Sequence, residues 1–209
     1  MKFYLASILF MLAFTHNALA RPVSYPGGIT LMQTNDMLSS NLHIHYSPSI
    51  DYSIGYKGEY WRDDDWQFHG LQLNNLVKRW NKPASQANFY VKSGAGFIKP
   101  KDGETELAGF TGLSVDWENR RYFTQYENRY YHAGDIDQFY SQKARLGIAP
   151  YMGDYGDLHT WLMLQVDHMP TAEDSLTVTP LVRLFKGEYL TEIGVNNRGE
   201  ALLNIVIRY

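Results

Sequence analysis

The chain closes on ALLNIVIRY, with Leu203, Ile205, Ile207 and Tyr209 on every second position and Asn204 and Arg208 between them. A two-residue period sends alternate side chains to opposite faces of a strand, so this stretch predicts a strand with one apolar face. The alternation recurs. Leu42, Ile44 and Tyr46 oppose His43 and His45, and Tyr52, Ile54, Tyr56 and Tyr60 oppose Lys57 and Glu59. Leu162, Leu164 and Val166 oppose Gln165 and Asp167, and Tyr189, Ile193 and Val195 oppose Glu192. Helical periodicity is weak throughout, and clusters of Gly, Asp, Asn and Pro interrupt the alternation.

Twelve strands are predicted on this basis: 28–35, 40–47, 51–61, 66–77, 86–99, 105–118, 121–131, 138–149, 158–168, 175–185, 188–195 and 200–209. Stretches such as RDDD, KPKDG, FKGE and VNNRGE carry ordinary turn chemistry between them. The segment around NDML and residues 130–137 are poorly patterned, which leaves ten strands open as the alternative count. Pro180 falls inside a predicted strand, where it removes a ladder donor and points to a bulge or local break.

A soluble sandwich shows the same alternation with its polar face in water. Composition shifts the reading. Aromatic residues make up 15% of the chain, 16 of them Tyr, and there is no Cys. Rings gather beside predicted turns: Tyr60, Trp61, Trp66 and Phe68 at one, Trp117, Tyr122 and Phe123 at another, Tyr130, Tyr131, Phe139 and Tyr140 at a third. A transmembrane barrel uses rings in this way, as girdles at the two membrane interfaces. At the N-terminus, Lys2, a short apolar run and the small residues Ala18 and Ala20 predict a signal peptide over 1–20, cleaved before Arg21. Removing those 20 of 209 residues leaves a single domain of 189, residues 21–209, and loss of Lys2 takes the net charge from −3 to −4. That charge excludes a nucleic-acid binder. In an exported chain the lack of Cys excludes a disulfide framework.

The export signal, the short antiparallel strands and the ending LLNIVIRY resemble the small outer-membrane β-barrel proteins of Gram-negative bacteria. The resemblance covers the mature chain as an all-β, up-and-down transmembrane barrel of about twelve strands, and no motif identifies a family within that class. It implies an outer-membrane location, contact with outer-membrane lipid, and recognition of the last strand by the barrel-assembly machinery. Leu203, Ile205, Ile207 and Tyr209 would form that assembly signal.

With the apolar faces toward lipid, the lumen is expected to receive Lys57, Lys92, Arg129, Lys143, Arg145, Arg183 and Arg208 together with Glu59, Asp116, Glu127, Asp167 and Glu192. Enclosed charges must pair or bind something. The expectation is an ion-pair network filling the interior or a narrow passive conduit for a small solute. His43 and His45, at i and i+2, point two imidazoles at one place; a metal ion there would need a third ligand, for which His69 and Met32 are candidates. No cofactor is implied. A barrel enzyme acting on lipid or peptide at the outer rim is the alternative, with Asp63, Asp64, Asp65, His132, Asp135 and Ser141 as candidate residues. No GxSxG or HExxH motif accompanies them. A soluble periplasmic β-domain binding a small ligand or metal is the third reading. The stretch from Ala149 to His159 carries Asp154 and Asp157 and reads as a Gly-Asp turn at the periplasmic end.

Overall fold

Each predicted segment becomes one strand. A computed structural model of the protein describes residues 22–172 and 175–209, and the expected signal peptide lies outside the described residues. The strands are β1 (Ile29–Asn35), β2 (Ser39–Tyr46), β3 (Tyr52–Trp61), β4 (Trp66–Lys82), β5 (Ser85–Pro100) and β6 (Glu106–Asn119). They continue as β7 (Tyr122–Ala133), β8 (Asp137–Ile148), β9 (His159–His168), β10 (Leu176–Lys186), β11 (Tyr189–Val195) and β12 (Ala201–Arg208). Every strand pairs antiparallel with its neighbour in sequence, and β1 pairs with β12 to close a barrel. The seam is tied at the chain's last residue: Ile29 N–H donates to the Tyr209 carbonyl at 2.9 Å, and Tyr209 N–H donates to the Ile29 carbonyl at 2.8 Å.

Both poorly patterned stretches are hairpins, so the count is twelve. Asn35 pairs with Ser40 and Ala133 with Asp137, and Asp36 accepts from Ser39 N–H at 2.8 Å to stabilise the first turn. The largest boundary difference is in β4, which runs to Lys82 rather than residue 77. A register shift between Leu76 and Lys78 inverts the alternation there, so the periodic signal stops while the ladder continues. Pro180 makes no break, because the β9–β10 register runs through it, opposite Leu164. The β10–β11 ladder begins only at Leu181 and Gly194. Val178 N–H meets Asn197 on that side, so Pro180, two residues on, turns its missing donor to the side where no ladder bond was due.

The apolar face points outward. Leu71, Leu107, Leu146, Leu162, Ile193 and Val195 are exposed on the outer wall. Tyr46, Tyr52, Trp117, Tyr122, Tyr189 and Tyr209 are exposed at strand ends on the side of Ile29 and Tyr209, here the terminal end. Tyr60, Phe97, Tyr130 and Tyr140 are exposed toward the opposite end. These ten rings form two girdles. Six rings expected in the girdles are not there: Trp61, Trp66, Phe68, Phe123, Tyr131 and Phe139 are all buried inside. Each shares strand parity with inward residues, as Trp61 does with Lys57 and Glu59.

Inside the barrel Gly55 stands opposite His45, and a Cβ there would lie 1.9 Å from the Ile44 carbonyl oxygen. Only glycine lets β2 and β3 approach and twist this closely. The outward orientation has a direct consequence at Ile193, which is 56% exposed in mid-strand. Ile193→Arg is expected to cost about 2–4 kcal/mol in lipid vesicles if it sits near the bilayer midplane, read by reversible denaturant unfolding, whereas Ile193→Leu leaves the midpoint unchanged. Were this wall bathed in water, arginine would be tolerated.

Candidate functional site: the charged lumen

Each of the twelve charged residues assigned to the interior by parity has its side chain on the inward face of its strand. Adjacent strands then assemble them into clusters. Glu59 on β3 takes Lys57 at 3.0 Å and, across the barrel, Arg129 of β7 at 2.5 Å. Lys92 of β5 meets Glu127 of β7 at 2.7 Å, and Lys143 of β8 meets Asp167 of β9 at 3.6 Å. Glu192 of β11 accepts from Arg183 at 2.7 Å, from Arg145 at 3.3 Å and from Asn204 at 2.7 Å. Arg145 also donates to Gln165 at 2.7 Å. Asp116 accepts from Asn88, which in turn accepts from Arg79. Arg208 is buried near the terminal end, beside Thr30 in the β1–β12 register. The carboxylates of Glu59 and Glu192 are almost fully enclosed, and such groups are tolerable only because two cations address each.

Toward the opposite end the charges give way to rings. Trp61, Trp66, Phe68, Ile98, Phe110, Tyr131 and Phe139 form one cluster with Ala108 and Ala133. Tyr131 stacks on Phe139 with centroids 5.0 Å apart, and Trp66 stacks on Tyr131 at 5.4 Å. Arg129 lies beneath this cluster, 5.3 Å from the Phe110 centroid and within 6 Å of Trp61, Tyr131 and Phe139. Its guanidinium therefore has a carboxylate on one side and aromatic faces on the other.

The terminal-end mouth is narrowed differently. Phe123 and Trp161 line one wall, at the foot of an apolar row that continues along the barrel through Met163 and Leu181 to Leu202, next to the β11–β12 turn. On another, the N-terminal segment turns inward: Val23 is buried against Leu76 and Tyr90. The Pro22 carbonyl accepts from Ser53 Oγ at 2.7 Å and from Asn74 Nδ2 at 3.3 Å, and Ser24 N–H donates to Ser47 Oγ at 3.0 Å. Between the two constrictions lies a cavity of about 330 Å³, lined from Asp36 and Leu38 at one end to Pro22 at the other.

His43 and His45 both point inward, their rings 4.5 Å apart. His69 cannot join them, because it lies on the outer face, where its Nδ1 is 2.6 Å from Tyr56 Oη. Met32 is inward and directly opposite His43. The rim residues considered for catalysis do not converge. His132 is on the outer wall, Ser141 lines the lumen, and Asp135 sits in the turn between their strands. Asp63 and Asp64 are exposed in the β3–β4 loop. Asp65 is held below the usual carboxylate range by hydrogen bonds from Lys101 and Tyr60. Glu200, in the β11–β12 turn, is held low by Asn196 and Arg198. The β8–β9 connection is a turn in which Asp157 accepts from Asp154 N–H at 2.9 Å.

Sequence reasoning missed the aromatic constriction and the N-terminal strap. The first was readable, because Tyr131 shares parity with Glu127 and Arg129. The second was not, since Pro22 and Val23 carry no periodic signal. No protein-family model matches the chain, and no curated protein sequence matches it either. Solved structures do. The KdgM porin in complex with disordered oligogalacturonate superposes with a TM-score of 0.52 at 10% identity, over 87% of this chain and 98% of that one. A second KdgM porin structure gives 0.50 at 9% identity with the same coverage. The chain thus has the twelve-strand fold of an outer-membrane porin.

Glu59 separates two buried cations, and its loss leaves them facing each other. Glu59→Gln is expected to destabilise the folded barrel by about 3 kcal/mol, measured as a shift of the denaturant midpoint. Lys101→Met, at the exposed pair with Asp65, leaves that midpoint where it was.

Proposed function

We propose that the protein is a narrow outer-membrane channel for small hydrophilic solutes. The observation that carries this reading is the cavity between the two constrictions, lined by the charged clusters and by residues near each end of the barrel. The fold it shares with a porin agrees with it. In such a barrel both termini face the periplasm, so the aromatic constriction is external and the N-terminal strap periplasmic.

Charge pairing limits what passes. The cavity lining carries seven basic and eight acidic side chains, so the preference is set locally, where Arg145 and Arg183 share the single carboxylate of Glu192. An anion exchanging with that carboxylate meets two guanidinium groups in fixed orientation, which favours carboxylate-bearing or phosphate-bearing solutes. The porin with the same fold was solved with an oligogalacturonate, itself a polyanion. A filled barrel with a structural or interaction role is the second reading, and the rings packed at the external end favour it.

Planar bilayers separate the two. We expect discrete steps smaller than those of wide porins, with a reversal potential displaced toward chloride in a potassium chloride gradient. Removing residues 22–24 after the signal peptide should enlarge the steps. A protein that gives no steps in either form is a filled barrel. A soluble periplasmic domain would be monomeric in plain buffer, and it would show no heat-dependent mobility in detergent gels.

A further inference from the structure

The lower lumen contains a feature that neither conduction nor ion pairing uses. His43 is 5% and His45 1% exposed, yet His43 Nε2 and both ring nitrogens of His45 have no hydrogen-bond partner. Each presents less than 1 Å² of accessible surface, so a water molecule has no room against them. A neutral imidazole carries one donor and one acceptor, and leaving both unmet in an enclosed site is costly. A metal ion resolves this, because a bond of about 2.0–2.1 Å brings the ion well inside the contact distance of a water molecule.

The neighbours select the metal. On β1, Met32 is the direct cross-strand partner of His43 and also faces the lumen. The rings of His43 and His45, with centroids 4.5 Å apart, are close enough for both to address one ion. No group of three His, Asp or Glu able to hold a metal exists among the described residues, and the side chain that β1 sets against this pair is the Met32 thioether. Two imidazoles and a thioether form a soft set with no charge of its own. The charged groups around it are Lys57, beside His43 in the register, and Lys92 and Arg208. Lys57 is engaged by Glu59 and Lys92 by Glu127. A divalent ion would meet twice the residual repulsion of a monovalent one. We infer that Met32, His43 and His45 form a binding site for a soft monovalent metal ion, copper(I) or silver(I), on the β1–β2 wall of the lumen.

This inference is independent of whether the lumen conducts. The test uses the full barrel without a polyhistidine tag, folded in detergent, and copper(I) delivered from a chromogenic chelator under reducing conditions. One equivalent is expected to transfer, and X-ray absorption should show two nitrogen neighbours and one sulfur. Met32→Leu conserves volume and should weaken binding by at least about tenfold, with loss of the sulfur signal. His43→Asn combined with His45→Asn should abolish stoichiometric binding, while zinc(II) remains a poor competitor. If the double variant does not fold, as seen on an unheated gel, the Met32→Leu comparison and the wild-type absorption spectrum decide. Failure of the wild-type barrel to take up one copper(I), a spectrum without sulfur, or unchanged affinity in Met32→Leu would each overturn the assignment.

Discussion

In hydrocarbon no backbone N–H or C=O can be left to water, and that requirement forces the sheet to close on itself. The two bonds between Ile29 and Tyr209 are where it does so. Without Tyr209 the start of β1 would lose its ladder partner. The same constraint reaches the side chains on the outer wall. Most are apolar, and several polar ones bond to one another: Tyr56 with His69, Tyr126 with Gln142, Gln142 with His168, and Gln33 with Asn35. Outward polarity is tolerated where it is already satisfied.

Closure also fixes what the interior must be. Alternation leaves every second residue inside, and the interior is too narrow to hydrate them all as bulk water would. The chain uses two solutions along the barrel axis. In the middle, carboxylates are placed where two basic residues can reach each of them, as at Glu59 and Glu192. At the end away from the termini, rings fill the space and exclude water. Arg129 joins the two regions, since its charge is neutralised by Glu59 and its faces are covered by four aromatic rings. A lysine at this position would keep the charge and lose the flat face that the rings require.

The architecture was legible because period two is a strong signal and a lipid-facing barrel needs no tertiary information to assign its faces. Parity alone placed Lys57, Glu127, Arg183 and Arg208 inside. It did not say which charges meet: Glu59 and Arg129 are 70 residues apart, and their contact depends on barrel curvature, which no local pattern records. Clustering of rings near turns misled, because a ring at a strand end can serve an interface or cap the lumen, and only its parity distinguishes Tyr60 from Trp61. The bulge in β4 was hidden for the opposite reason: it erases the periodicity from which strands are read.

The two constrictions differ in how firmly they are held. The rings of the aromatic constriction are nearly inaccessible and each packs on several others, so displacing one opens a void that its neighbours cannot fill. At the terminal end, the strap of residues 22–24 is held by the buried Val23 and by hydrogen bonds to Ser47, Ser53 and Asn74. Burying Val23 contributes about 1.5–3 kcal/mol, and the hydrogen bonds about 1 kcal/mol each. Ordering three or four residues costs about 1–2 kcal/mol apiece. Gain and cost nearly cancel, so the strap can leave the mouth with little penalty while the barrel stays intact. The aromatic end is therefore the rigid end of the lumen, and the strap of residues 22–24 is the part of its wall that yields first.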